Sequence, residues 1–355
     1  MKDFIIVGQG LAAHVLMHSF HRQGISFTTV GNGSLSSCSR VAAGIWNPVV
    51  FKRMTKSWLA DSLIPCLDAF YTDCEKRLNK KLVTWRPIIK PFTEEQEKRL
   101  WLRKAGLELR LYLDEELYLD AAPGLEHCNI QNGYGLVKQS GNLDVAGFID
   151  ASNSYFKDHL LNETFYHEQL RVSAGKVSYR SAEARHVIFC EGHLVSRNPF
   201  FSWIPLKPAK GEVLTVSIPA LGLRNSIFNR NGFLMDTAPG LYKTGATYEW
   251  HDLSEQPTGK GRQELVDKLE QMTPCAYAIE KQEAGIRPAS VDRRPLIGRH
   301  PVHANLFVFN GLGTKGVMLA PFFANNFVNF YLQKEAMHPE ADLGRFYSLY
   351  ETRKP

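Results

Sequence analysis

Two glycine clusters are the residues of this chain whose types and spacing can do chemistry. Near the start, Asp3-Phe4-Ile5-Ile6-Val7 runs straight into Gly8-Gln9-Gly10-Leu11-Ala12-Ala13. A β-type apolar run followed at once by G-x-G-x-x-A predicts a strand–turn–helix that holds a dinucleotide pyrophosphate. The first glycine permits the tight turn, and the second lets backbone N–H groups approach the phosphates. The small Ala13 lets helix and strand pack closely, and the helix N-terminus adds partial positive charge. Near the end, Gly311-x-Gly313-x-x-Gly316 follows the apolar run Leu306-Phe307-Val308-Phe309 and precedes Val317 to Leu332, which reads as a helix. Its free N–H groups must also point at a ligand, unless it is an ordinary glycine-rich turn.

A glycine motif counts only in context, and the flanks of the first one supply it. Val15, Leu16 and Phe20 have helical spacing up to Arg22, Gly24 is a stop, and Ile25 to Val30 reads as a second strand. The acidic residue expected about 20 positions on, which would grip the ribose hydroxyls, is replaced by Gly31-Asn32-Gly33. Asn32 would hold a ribose through its amide without a charge, which leaves room for a phosphorylated cofactor.

The rest of the chain must position these turns. With 355 residues and 44% apolar content, it buries a substantial core, as two interleaved domains. No apolar run reaches the ~18 residues needed to span a bilayer. Lys2 and the apolar run after it resemble a secretion signal, but Gly8, Gln9, Gly10 and His14 interrupt that run. Cys38, Cys66, Cys74, Cys128, Cys190 and Cys275 form no CxxC pair; they read as reduced thiols in a cytoplasmic protein rather than a disulfide frame or zinc site. The twelve histidines show no HExxH spacing, so no catalytic metal is expected. Net charge is a modest +6. Lys76-Arg77 with Lys80-Lys81, and Lys98-Arg99 with Arg103-Lys104, read as solvated helix faces, although an anionic substrate or RNA would also suit them.

Along the chain, residues 34–53 read as a loop whose Ala42-Ala43-Gly44 can lie flat against a planar ligand. Residues 55–80 and 93–106 read as helices, with proline-punctuated β structure from Leu82 to Phe92. A strand begins at Gly135, and a helix runs from the N-cap Asp144 to about His159. Short strands are expected at 164–168, 175–180 and 186–190. From Gly211 to Ala246 the pattern is β-rich, with strands at 212–218, 226–229, 232–236 and 241–247, then a helix at 259–271. The expected partition is a discontinuous cofactor domain (1–80, 135–205, 285–355) and a substrate domain (81–134, 206–284).

GQGLAA at the start, SRVAAGI at 39–45, the strand Val187 to Gly192, and the C-terminal AGIRPASVDRRPLIG and NGLGTKGVMLAP occur in this order. Together they resemble the FAD-dependent D-amino-acid oxidase, glycine oxidase and sarcosine oxidase superfamily over almost the full length. Leu206 to Glu212 and Gly245-Ala246-Thr247 are similar to lesser signatures of that family. The resemblance implies an α/β fold: a Rossmann-like FAD-binding domain of the glutathione-reductase type, with an interleaved antiparallel β-rich substrate domain. It implies Gly8, Gly10 and Leu11 at the pyrophosphate, Asn32 at the ribose and Leu170 near the adenine. Arg40, Ala42, Ala43, Gly44 and Ile45 would run beside the flavin, with Gly192 a further cofactor contact. Gly311, Gly313, Thr314, Lys315, Gly316 and Val317 would face the pyrimidine edge. A helix N-terminus there stabilises developing negative charge by about 0.3–2 kcal/mol. No cysteine lies in that loop, so the implied FAD is noncovalent.

The same resemblance places the substrate carboxylate on Arg287, whose planar, permanently charged fork suits it; a structural arginine is the competing reading. The family's helper tyrosine aligns with Phe233, and a second arginine of some glycine oxidases with Thr314. Trp46, Tyr248 and Lys315 are candidates to line the pocket, and Lys243 falls near a flavin-side lysine of sarcosine oxidases. The implied reaction is oxidation of the C–N bond of a small amine or amino acid by hydride transfer to flavin N5. The imine is then hydrolysed, and oxygen or another acceptor reoxidises the flavin. Catalysis would be mostly positioning. The alternatives are an oxidase acting on a modified tRNA base side chain, and a flavin-binding scaffold or sensor without turnover. The expected partner is a small molecule, with neither membrane nor nucleic acid.

Overall fold

A computed structural model describes residues 1–33 and 38–352; the start of the expected 34–53 loop, residues 34–37, lies outside the described residues. Strand Lys2–Val7 is buried from Phe4 onward, as a central parallel strand must be. Its alternation builds two cores at once. Phe4 and Ile6 join the side that holds helices Leu11–Arg22 and Gly316–Tyr331, while Ile5 and Val7 join the side with Val177, Tyr179, Phe201 and Trp203. Around it run the parallel strands Leu160–Asn162, Phe27–Gly31, Ala182–Phe189 and Leu306–Asn310. The hairpin Leu170–Ser173/Lys176–Tyr179 and strand Leu296–Arg299 are antiparallel additions, giving an eight-stranded sheet among the described residues.

A second, seven-stranded sheet is almost wholly antiparallel. It contains Ala278–Arg287, Ala209–Ser217, Leu241–Gly245, Phe233–Ala238 and Ile227–Asn229, followed by Ile88–Pro91 and Tyr134–Val137. Helix Gly259–Met272 covers its far face with Leu265, Leu269 and Met272. Among the described residues no helix is long and apolar enough to cross a membrane.

Local expectations change in several places, and the expected 34–53 loop carries the short helix Cys38–Val41 and the strands Ile45–Trp46 and Val49–Val50. Residues 164–168 form no strand: Phe165 stacks on Tyr179 with ring centroids 4.3 Å apart, His167 bonds Glu191 at 2.8 Å, and a 3-10 turn follows at His167–Gln169. Side-chain anchoring replaces a ladder there. The helix expected from 55 begins at Ala60, because Leu59 is left-handed at φ 53° and Thr55–Lys56 pairs back onto Val49–Val50. Strand Ala278–Arg287, absent from the sequence reading, is hidden by the run Glu280-Lys281-Gln282-Glu283, which masks a period of two. The Asp144 cap is as expected: its carboxylate accepts from the Gly147 N–H at 2.9 Å.

The buried side of helix Leu11–Arg22 carries a titration consequence. Arg77 donates to His18 Nδ1 at 2.9 Å, and His18 Nε2 lies 2.9 Å from Ser152 Oγ. An accepting Nδ1 requires a neutral ring. Burial, then the Arg77 charge, pushes His18 down to about 3. The unfolded chain takes up this proton near its ordinary value of about 6.5 and the folded one does not, so stability falls as pH drops below 6.5. At about 1.4 kcal/mol per pH unit, His18 alone removes roughly 2 kcal/mol between pH 6.5 and 5. Urea unfolding at several pH values should show this slope and show it reduced in His18→Gln. Equal slopes in the two proteins would refute the assignment.

Candidate active site

The carboxyl ends of the parallel strands and the inner face of the antiparallel sheet enclose a cleft of about 1080 Å³. Gly8 enters it at φ +121°, its N–H bonded to Val30 O at 2.9 Å; a Cβ there would stand 2.5 Å from Cys190 O. Gly10 then starts the helix, and the Leu11 N–H donates to Ser39 Oγ at 3.0 Å. Gly8, Gly10 and Leu11 line the cleft, and so do Gly313, Thr314, Gly316 and Val317 from the rear turn. A Cβ on Gly316 would lie 3.3 Å from Leu11 Cδ2. The two glycine turns, some three hundred residues apart in the chain, therefore start two helices side by side on one cavity. The third wall is Val41 to Ile45. Gly44, at φ +70°, packs so closely on Leu143 that a Cβ would overlap its carbonyl oxygen.

Arg287 lines the same cleft at the end of its strand. Its NH1 donates to Lys210 O at 3.3 Å and Thr247 O at 3.1 Å, and its guanidinium lies 4.4 Å from the centre of the Tyr248 ring. Gly211 is a glycine because the guanidinium occupies the space of its side chain, 1.8 Å from a built Cβ. No carboxylate pairs with Arg287 among the described residues. A permanent cation fixed through two carbonyls, with no salt bridge among the described residues, lines the cavity.

A family model described as DAO, FAD dependent oxidoreductase, matches residues 3–328. The chain belongs to this family. It is 32% identical over 147 residues to a glycine oxidase of Bacillus licheniformis, covering 40% of this chain and 39% of that one. Over 182 residues it is 28% identical to a tRNA 5-methylaminomethyl-2-thiouridine biosynthesis bifunctional protein of Azoarcus sp., covering 46% of this chain and 28% of that one. The matched stretches thus span well under half of either relative. The fold is that of a crystal structure of glycine oxidase from Geobacillus kaustophilus, at TM-score 0.78 and 19% identity over 97% of both chains.

Of the other residues singled out in the sequence, Asn32, Ala42, Ala43, Gly44, Ile45, Gly192, Phe233 and Tyr248 line the cleft. Six stand off its wall. Arg40 turns outward to Asp150, 2.6 Å away. Leu170 is buried behind the sheet against Tyr179, and Thr164 and Phe165 line the cleft in that region. Trp46 is 2% exposed, its Nε1 donating to Gln139 O at 3.1 Å and its ring edge-on to Trp85. Gly311 serves the turn, its N–H donating to Asn310 Oδ1 at 2.8 Å. Lys243 donates to Val41 O at 3.0 Å, one layer behind the cleft, and burial lowers its pKa. Lys315 donates to Ser57 Oγ at 2.6 Å, and burial brings it down to about 8.

Sequence reasoning missed Gln9, whose Nε2 donates to Gly31 O at 2.8 Å and Asn162 Oδ1 at 3.0 Å, tying the first turn to two strand ends. It also missed Glu191, His193 and Arg197 on the cleft wall, and, in the irregular strap 246–258, Leu253 and Glu255 beside the expected Tyr248. The glycine that ends Val187 to Gly192 signalled the first group. Nothing in the composition around Leu253 and Glu255 signalled the second.

Proposed function

We propose that this chain uses FAD to oxidise the C–N bond of a small amine or amino acid whose carboxylate is anchored on Arg287. The observation that carries the reading is the Arg287 fork, which no carboxylate pairs with among the described residues and which lines the same cavity as two helix N-termini. The cavity fits the cofactor that gives the family its description. At about 1080 Å³ it lies just above the usual range of small-molecule sites, roughly 300–1,000 Å³, and Gly8 and Gly44 let its walls close on the Cys190 and Leu143 carbonyls with no side chain between. Gly8, Gly10 and Leu11 would hold the pyrophosphate, and Asn32 the ribose. Val41 to Ile45 would flank the isoalloxazine from one side, with Gly313, Thr314, Gly316 and Val317 at its pyrimidine edge. When bound, the group supplies a two-electron acceptor for hydride from carbon.

The protein's own part is positional. Arg287 orients the carboxylate and so aims the carbon that bears the nitrogen. The N-terminus of helix Gly316–Tyr331 favours negative charge where it points into the cleft. Phe233, without a hydroxyl, leaves the carboxylate to Arg287 and adds an apolar wall. An amine that binds neutral requires no side-chain base. Loss of hydride from carbon gives an iminium, which loses a proton on nitrogen, and water then cleaves the imine to carbonyl and amine. Anaerobic mixing of the holoprotein with D-amino acids, glycine, sarcosine, proline and glycerol phosphate should bleach the visible flavin band with at least one amine. No bleaching by any of them favours a binder without turnover.

A second reading, oxidation of an amine carried on a modified tRNA base, is supported by the likeness to the Azoarcus protein. It requires retention of tRNA that weakens steeply with salt, because phosphate binding releases counterions.

A further inference from the structure

The strap 246–258 is irregular yet tightly held. Lys210 and Glu249 exchange backbone hydrogen bonds at 2.8 and 3.0 Å, and the buried Lys210 ammonium donates to Asp252 Oδ2 at 2.6 Å and Ser254 Oγ at 3.2 Å. Glu212 receives the Thr258 N–H at 2.9 Å and its hydroxyl at 2.8 Å, closing the far end. Every anchor reaches the strand that also supplies Lys210 O to Arg287, so strap and guanidinium are fixed as one unit.

This clamped strap presents aromatic surface to solvent: Tyr248 lines the cleft, and Trp250 stands outside its lining, stacked on Tyr248. Tyr248 and Trp250 are each 51% exposed and stack with centroids 6.1 Å apart and planes 28° apart. Tyr248 and Leu253 line the cavity, and Tyr248 carries the Arg287 guanidinium on its ring. The same cavity is lined by Gly211, Gly232 and Gly245 with Val213, Ile88 and Phe233, which leave room for a side group, while Asn229, Asn231 and Lys268 also reach its wall. We infer that the strap is a specificity wall: the substrate is a carboxylate bearing an aromatic or bulky apolar substituent, which lies against Tyr248 and Trp250 while its carboxylate meets Arg287. This rests on the carboxylate anchor proposed above. Rings that stack on a preformed wall gain contact and apolar burial without ordering a loop, and a glycine-sized substrate would leave the wall bare.

Acetate, phenylacetate and indole-3-acetate share the –CH2–COO⁻ head and differ only in what the wall would touch. Titrated into the holoprotein and followed by perturbation of the flavin spectrum, the two aryl acids should bind at least about tenfold more tightly than acetate. Trp250→Ser should collapse that ratio toward one, and Trp250→Phe should restore most of it. Comparable affinity for all three probes, or an undiminished ratio in Trp250→Ser, overturns the wall and leaves Arg287 as the anchor. Silence of every probe overturns the anchor itself and this inference with it.

Discussion

Arg287→Ala should yield a folded, yellow protein whose KM for a carboxylate substrate rises about a hundredfold to a thousandfold. Removing one partner of a desolvated, charge-assisted pair typically loses 2–5 kcal/mol, and every 1.4 kcal/mol is tenfold in affinity. The catalytic constant should fall as well, because an unanchored carboxylate no longer aims the reacting carbon. Arg287→Lys keeps the charge without the fork and should recover only part of the loss. A sharper probe leaves the arginine in place. In Gly211→Ala the new methyl would sit 1.8 Å from NH2 of Arg287, so the flexible guanidinium must swing away while the strand backbone keeps its conformation. That variant should copy the KM defect of Arg287→Ala at nearly unchanged Tm. Steady-state kinetics with a thermal melt decide it. A KM within about threefold of the parent protein in both variants would remove Arg287 from the site.

These experiments bear on a fold whose nucleotide-binding half was readable in advance, for a physical reason. Phe4 to Val7 are buried on both faces, so the strand is a continuous apolar run, and a turn bracketed by two glycines follows it. Backbone-driven features leave local marks of this kind. The rear turn was equally legible, because strand, glycines and helix stand in immediate succession. Roles of single side chains were less so. Arg40 and Trp46 belong to the right loop, but their direction is set by Asp150 and Gln139, partners about a hundred residues away. Leu170 was placed by the family resemblance, whereas the wall there is made by Thr164 and Phe165, the latter stacked on Tyr179 ahead of a 3-10 turn. In the strap only Tyr248 and the signature before it were named. Its order comes from Lys210 and Glu212 of a distant strand, and contacts about forty residues apart have no local period to read.

Gly8 and Gly10 look alike in the motif, and the structure separates them. A methyl on Gly8 would meet the Cys190 carbonyl at 2.5 Å, in a backbone at φ +121° that L side chains rarely adopt. Both strands of that contact are rigid, so Gly8→Ala must strain the protein whether or not FAD is bound. Its apoprotein should melt several degrees lower and recover no colour with added FAD; a strain of about 3 kcal/mol suffices. Gly10 has φ −87°, and its nearest neighbour to a built Cβ is the Ser39 hydroxyl at 3.2 Å. Gly10→Ala should therefore fold with an apoprotein Tm close to the parent. Its methyl would stand where a phosphate approaches the helix N-terminus, so its Kd for FAD should rise at least about tenfold, and the stabilisation by a given FAD concentration should shrink with it. Thermal melts of apoprotein and FAD-loaded protein separate the two effects. If Gly10→Ala binds FAD as the parent does, the pyrophosphate does not lie on this turn, and the shared cavity of the two glycine clusters needs another occupant.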